Sequence, residues 1–137
     1  MNNFTRTMIL AVPILTAGAS QQARADVVVI VSAASVASNL TTGEISRIYL
    51  GQSNRMTPID IADPSKTRHE FYSKVTGKDE FQVKSLWSKL VFTGKAPAPR
   101  ELSPTEVVKA VAADPYAIGY VDRSFVNITV KIVYVVK

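Results

Sequence analysis

The chain has 137 residues, sixteen Lys and Arg against eleven Asp and Glu, one histidine and no cysteine. The missing cysteines exclude thiol nucleophiles, thiolate metal sites and disulfides, so the fold is held by packing alone. The formal charge of +5 is scattered: Arg47, Arg55, Lys66, Lys84 and Lys109 sit among apolar or acidic neighbours, without the dense basic stripe that a nucleic-acid binder presents.

The first 25 residues read as a secretory signal peptide. Arg6 is followed by an apolar run from Met8 to Ala17, too short to span a bilayer, and Ala23-Arg24-Ala25 fits a small-x-small cleavage site. Removal of Arg6 and Arg24 lowers the charge from +5 to +3 and leaves residues 26–137 as one modest domain. The expected location is the bacterial periplasm, with no membrane span after cleavage.

Asp26 to Val31 is a continuous, mostly β-branched run and predicts a strand buried on both faces. A small-residue loop, Ser32 to Ser38, follows. Thr41 and Glu44 form a capping box for a short helix whose buried side is Ile45, Ile48 and Tyr49 and which Gly51 ends. Met56 to Ala62 is a second strand. It leads into Asp63-Pro64-Ser65-Lys66-Thr67-Arg68, where a helix starts with Asp63 as N-cap and Pro64 at the first helical position. Phe71, Tyr72 and Val75 point inward from that helix, and Gly77 ends it.

Lys78-Asp79-Glu80 opens another helix. Val83, Leu86, Trp87, Leu90 and Val91 keep helical spacing and predict a core-facing stripe, which makes Trp87 a packing residue. Thr93 to Pro99 is a loop. Ser103-Pro104-Thr105-Glu106 is a second capping box, over a helix burying Val107, Ala110 and Val111 and broken at Asp114-Pro115. Ala117 to Val121 is a strand whose internal Gly119 signals a close backbone approach. Asn127 to Val136 is the last strand. The mixture predicts one α/β domain: a single small mixed sheet with helices on both faces.

The catalytic inventory is thin. His69 stands alone beside Arg68 and Glu70, no G-x-S-x-G elbow accompanies the serines, and no metal-binding spacing or nucleotide-type glycine loop is present. No enzyme activity, cofactor or metal is expected, and a hydrolase is the least favoured reading. The segment from Asp63 to Arg68 offers other chemistry. The first N–H groups of a helix lack internal partners and face the positive end of its dipole, so they suit an anion. The N–H groups of Ser65, Lys66 and Thr67, two hydroxyls, and the Lys66 or Arg68 side chain are the candidate donors. The loop from Ser32 is the surface expected to complete the site. A plain helix cap is the competing reading, because an Asp63 carboxylate at the cap occupies the anion's place.

Four segments together resemble a known pattern: Leu40 to Gly51 (LTTGEISRIYLG), Asp63 to Thr67 (DPSKT), Leu86 to Gly94 (LWSKLVFTG) and Ala117 to Val121 (AIGYV). In this order they look like the phosphate-binding proteins of bacterial phosphate ABC transporters, and the fold implied is one lobe of a type II periplasmic-binding protein. The resemblance implies phosphate or a similar oxyanion as ligand, and an ABC transporter permease or another envelope protein as partner. The family's anion motif, Arg-x-Asp-x-Ser-Gly-Thr, is matched by Asp63, Ser65 and Thr67. Ile61 stands at the arginine position and Lys66 at the glycine, with Arg68 and Lys66 as the substitute charges. The chain carries sequence for the second lobe only. A ligand-free interaction or envelope module that keeps the fold is therefore the alternative to an oxyanion binder.

Overall fold

All six residues of β1 (Val27–Ser32) are buried, because the strand lies between two others and has helices above and below it. The computed structural model describes residues 10–13 and 26–137; the signal-peptide reading falls on residues that, apart from 10–13, lie outside those described. After β1 come α1 (Thr42–Tyr49), β2 (Thr57–Ile61) and α2 (Lys66–Phe71), which continues into a π-helical turn (Tyr72–Thr76). Then follow α3 (Glu80–Phe92), β3 (Arg100–Leu102), α4 (Pro104–Ala113), β4 (Ala117–Asp122), a 3-10 turn (Arg123–Phe125) and β5 (Val130–Val135).

The five strands form one mixed sheet in the order β3-β2-β4-β1-β5. β2 runs parallel to β3 and β4, whereas β1 is antiparallel to β4 and β5. Alternation along each strand divides the core into two layers. Ile30 and Gly119 are register partners and face α4: a Cβ added at Gly119 would lie 2.8 Å from Val107 Cγ1 and 2.9 Å from Val111 Cγ2. Gly119 is thus the close approach that its place in the strand predicts.

Tyr120 faces the opposite way. It stacks on Phe71, with ring centroids 3.9 Å apart, and meets Tyr49 and Tyr72 edge-on, so α1, α2 and the π-helical turn cover that side. The buried Tyr49 hydroxyl, 2.9 Å from the Ile59 carbonyl and 3.2 Å from that of Ile118, ties α1 to β2 and β4. The fold is the expected α/β arrangement of one mixed sheet with helices on both faces.

Capping boxes form at Thr41 with Glu44 and at Ser103 with Glu106, as the sequence predicts. α3 departs from expectation. Only Val83 and Trp87 of its predicted stripe are buried, Leu86 and Leu90 are half-buried, and Val91 is exposed. The helix packs at the margin of the domain instead of on the sheet. It leans on the end of α1, where the Trp87 indole N–H donates to the Tyr49 carbonyl at 3.0 Å. Gly51, at φ +71°, lets Leu90 and Trp87 come close. One line of contact buries one line of side chains, and the rest of the apolar residues stay outside.

Candidate functional site

Asp60 is a carboxylate inside an apolar strand, between Ile59 and Ile61, and it is buried. Its side chain lies on the Tyr120 side of the sheet. The Tyr72 hydroxyl donates to Oδ2 at 2.7 Å, the Tyr120 hydroxyl donates to Oδ1, and the Ile61 N–H donates to Oδ1 at 3.0 Å. Arg68 Nη1 lies 3.1 Å from Asp60 Oδ2. Burial pushes the Asp60 carboxyl above its ordinary range, and Arg68 and the two hydroxyls hold it partly back. The same burial, with Asp60 alongside, pushes both tyrosines far up, so they remain neutral donors.

Arg68 itself is enclosed. Nε donates to Glu80 Oε2 at 2.9 Å, and Nη1 donates to Glu101 Oε1 at 2.8 Å and to the Ile61 carbonyl at 2.9 Å. The guanidinium also lies over the Tyr72 ring, 5.4 Å from its centroid. Burial acts to lower the arginine's pKa, but the Asp60 and Glu80 carboxylates raise it by more. Partners on β2, β3 and α3 therefore converge on one cation, and Arg68 pins the three elements together. Nη2 is its one nitrogen without an acceptor among the described residues. Glu80 Oε1 is buried beside this cluster with no donor.

The Asp63 to Arg68 segment follows β2 directly. Ser65, not Asp63, is the N-cap: its Oγ accepts from the Arg68 N–H at 3.1 Å, and the helix begins at Lys66, not Pro64. The Asp63–Pro64 peptide is cis, and the Asp63 carboxylate does not cap the helix. Asp63 instead accepts from Lys84 Nζ on α3 at 2.6 Å, a bond that lowers the Asp63 pKa and raises that of Lys84. Asp63 thus leaves the anion's place open. The N–H groups of Lys66 and Thr67 find no acceptor among the described residues, and neither does the Thr67 hydroxyl.

Ser32 is not brought to this segment. Register places the end of β1 beside the start of β4 and hence of β2, whereas Asp63 follows the end of β2. Ser32 Oγ donates to the Ala112 carbonyl of α4 at 3.2 Å and accepts from the Ala34 N–H. The expected concave surface formed with Ser32 to Ser38 is therefore absent: that loop lies at the other end of the sheet.

A cleft of about 790 Å3 opens over Arg68, between α3 and the loop before β3, with Trp87, Val91, Phe92 and Pro99 in its walls and Lys84 and Glu101 among its charged residues. A second cleft, of about 760 Å3, lies against the 96–99 loop and shares Trp87 with the first. Sequence reasoning missed Asp60, Glu80 and Glu101. The one available signal was the carboxylate of Asp60 in an apolar strand, since buried charges are rare unless paired. Glu80 and Glu101 carry no such signal.

No family model matches the sequence, and no curated protein matches it. Solved structures do match by fold. One is a candidate phosphate ABC transporter substrate-binding protein with bound phosphate from Clostridium perfringens, at TM-score 0.62 and 20% identity over 79% of this chain. Another is an ABC-type phosphate transport receptor from Vibrio cholerae, at TM-score 0.64 and 19% identity over 79% of this chain. The match spans only 44% and 45% of those two chains. The present chain is similar in fold to part of these phosphate transport proteins, and its α/β sheet is of the kind found in their lobes.

Proposed function

We propose that this chain is an exported binding protein that takes phosphate or a similar oxyanion at the start of α2, in association with phosphate ABC transport. The observation carrying this reading is the pair of unpartnered N–H groups at Lys66 and Thr67. They sit beside the Ser65 and Thr67 hydroxyls, in a helix start that Asp63 has vacated. Oriented N–H groups and hydroxyls at a helix start favour an anion without a dedicated cation. The likeness in fold to phosphate transport proteins supports the same ligand class.

Binding is weak on this reading. Ile61 supplies no guanidinium, and Arg68 has two nitrogens committed to carboxylates, so the charge-assisted bidentate contact is missing. The Met8 to Ala17 run supports export by a signal peptide over residues 1–25, and residues 26–137 form the binding domain. An ABC permease or another envelope protein is the partner. Among the described residues no helix is long and apolar enough to cross a membrane. The likeness in fold to transport binding proteins supports a role in binding and not in catalysis.

Calorimetric titration with phosphate and sulfate tests this. The expected result is millimolar binding of phosphate that Thr67→Ala weakens. Lys66→Gly, which frees the backbone for closer approach, should strengthen it. No heat with either anion at millimolar concentration would sink the proposal. The second reading, an interaction module without a ligand, is favoured by the way Arg68 is locked into a structural cluster.

A further inference from the structure

The cleft of about 760 Å3 against the 96–99 loop takes no part in the anion site at α2. Its floor is made of buried apolar side chains, Ile48 at the end of α1, Met56 and Ile59 of the β2 segment, and Trp87 of α3. Pro97 and Pro99 stand in one wall. Their fixed φ angles stiffen that wall, so a ligand has little order to impose when it enters. The volume falls within the usual range of small-molecule sites, about 300–1,000 Å3.

Charge is distributed unevenly around this cleft. Among the described residues its charged lining consists of Lys95 and Arg100, and every other polar side chain in the lining is a neutral amide or hydroxyl. Both cations are exposed, and neither is in an ion pair among the described residues. The carboxylates around Arg100 are committed elsewhere. Glu101, next in β3, accepts from Arg68. Arg100 also borders a smaller cleft with Glu106 and Asp114, but Glu106 accepts from the Ser103 N–H and Asp114 from the Tyr116 N–H. We propose that the cleft binds an apolar monocarboxylate, its hydrocarbon body on the floor and its carboxylate held by Lys95 and Arg100. Register sets Arg100 beside Ile59, so one cation stands at the edge of the apolar floor. A carboxylate there gains charge-assisted hydrogen bonds, whereas an ammonium meets two uncompensated cations.

The cleft over Arg68 is the poorer host for such a ligand. Asp60 and Glu101 line it, and its cations, Arg68 and Lys84, are already paired with carboxylates. Trp87 borders both clefts and is held by its bond to the Tyr49 carbonyl, so residues found in one cleft alone tell the two apart. Of the two clefts, Lys95 and Arg100 line the first and Phe92 the second. The inference does not depend on phosphate binding at α2.

Titration of the purified protein with decanoate, from about 1 μM to about 1 mM and below micelle formation, tests this by Trp87 fluorescence and by calorimetry. The expected result is a saturable response. Decanol and decylammonium, which keep the chain and lose the negative charge, should bind about tenfold or more weakly. Lys95→Gln and Arg100→Gln should each weaken decanoate by about tenfold, and the double variant should no longer prefer decanoate to decanol. Both side chains are exposed, so melting temperatures should stay at the wild-type value. Phe92→Ser and Thr67→Ala should leave decanoate binding intact, the second separating this site from the one at α2. The absence of a saturable response to decanoate overturns the proposal. Equal affinity for decanol, or wild-type affinity in the double variant, overturns it as well, because the two cations then recognise nothing. Loss of binding in Phe92→Ser places the ligand over Arg68, and loss in Thr67→Ala places it at α2; either result overturns the assignment to this cleft.

Discussion

The Arg68 guanidinium meets the Asp60 carboxylate at 3.1 Å with both side chains almost fully buried. This pair, with Glu80, Glu101 and two tyrosine hydroxyls around it, joins the helix after β2 to the strand that precedes it and to the edge strand β3. A buried pair of this kind gives little net stability over an apolar substitute, but removing one member leaves a charge stranded.

Arg68→Met should therefore destabilise the fold by about 3–5 kcal/mol at pH 7. The cost should depend on pH. Burial already raises the Asp60 pKa, and losing Arg68 raises it further. A carboxyl whose folded pKa lies above its unfolded value of about 3.9 loses stability as pH rises through the folded value. The penalty should thus be smaller at pH 4 than at pH 7. Urea denaturation of both proteins at the two pH values checks this, and an equal penalty at both would show that the stranded Asp60 charge is not the cause.

Gly119→Ala should cost about 1–3 kcal/mol, the usual range for overpacking. The added methyl group meets two β-branched side chains of α4 at less than 3 Å, and neither is the far end of a flexible chain. Thermal melting measures the loss. Combining it with Val107→Ala should recover part of the loss relative to the sum of the single changes, by making room.

Trp87→Phe removes the indole donor to the buried Tyr49 carbonyl while keeping an aromatic ring in place. Leaving that acceptor unpaired costs about 1–3 kcal/mol. Trp87 is the chain's one tryptophan and lines both clefts, so its fluorescence reports occupancy of either. In the wild type, a ligand entering over Arg68 should shift the emission maximum.

Ser65→Ala and Thr67→Ala should separate stability from binding. Ser65 caps α2, and its loss should lower stability by about 1 kcal/mol. Among the described residues the Thr67 hydroxyl has no partner, so Thr67→Ala should leave the melting temperature near its wild-type value while weakening phosphate binding. Melting curves with and without phosphate give both readings.

Features closed within a few residues were legible in the sequence. The Thr41–Glu44 and Ser103–Glu106 boxes satisfy their own donors inside one turn, so their residue types suffice to locate them. The β1 run is apolar at every position because both its faces are covered, and Gly119 stands out because a strand interior rarely accepts glycine. The mixed α/β class follows from such local signals added along the chain. The three-residue β3 carries no periodicity to recognise; it is a strand because β2 pairs with it. The site divides the same way. That a helix starts after β2 was readable; which residue caps it was not, because Asp63 is drawn off by Lys84, 21 positions along the chain. Arg68 looked like a free cation until Asp60, Glu80 and Glu101 converged on it from three elements. Ser32 looked like a neighbour of the α2 start until strand register put it at the far end of the sheet. Sequence determines what is paid for locally, by hydrogen bonds and burial period; the partner of a charge is decided only when distant segments pack together.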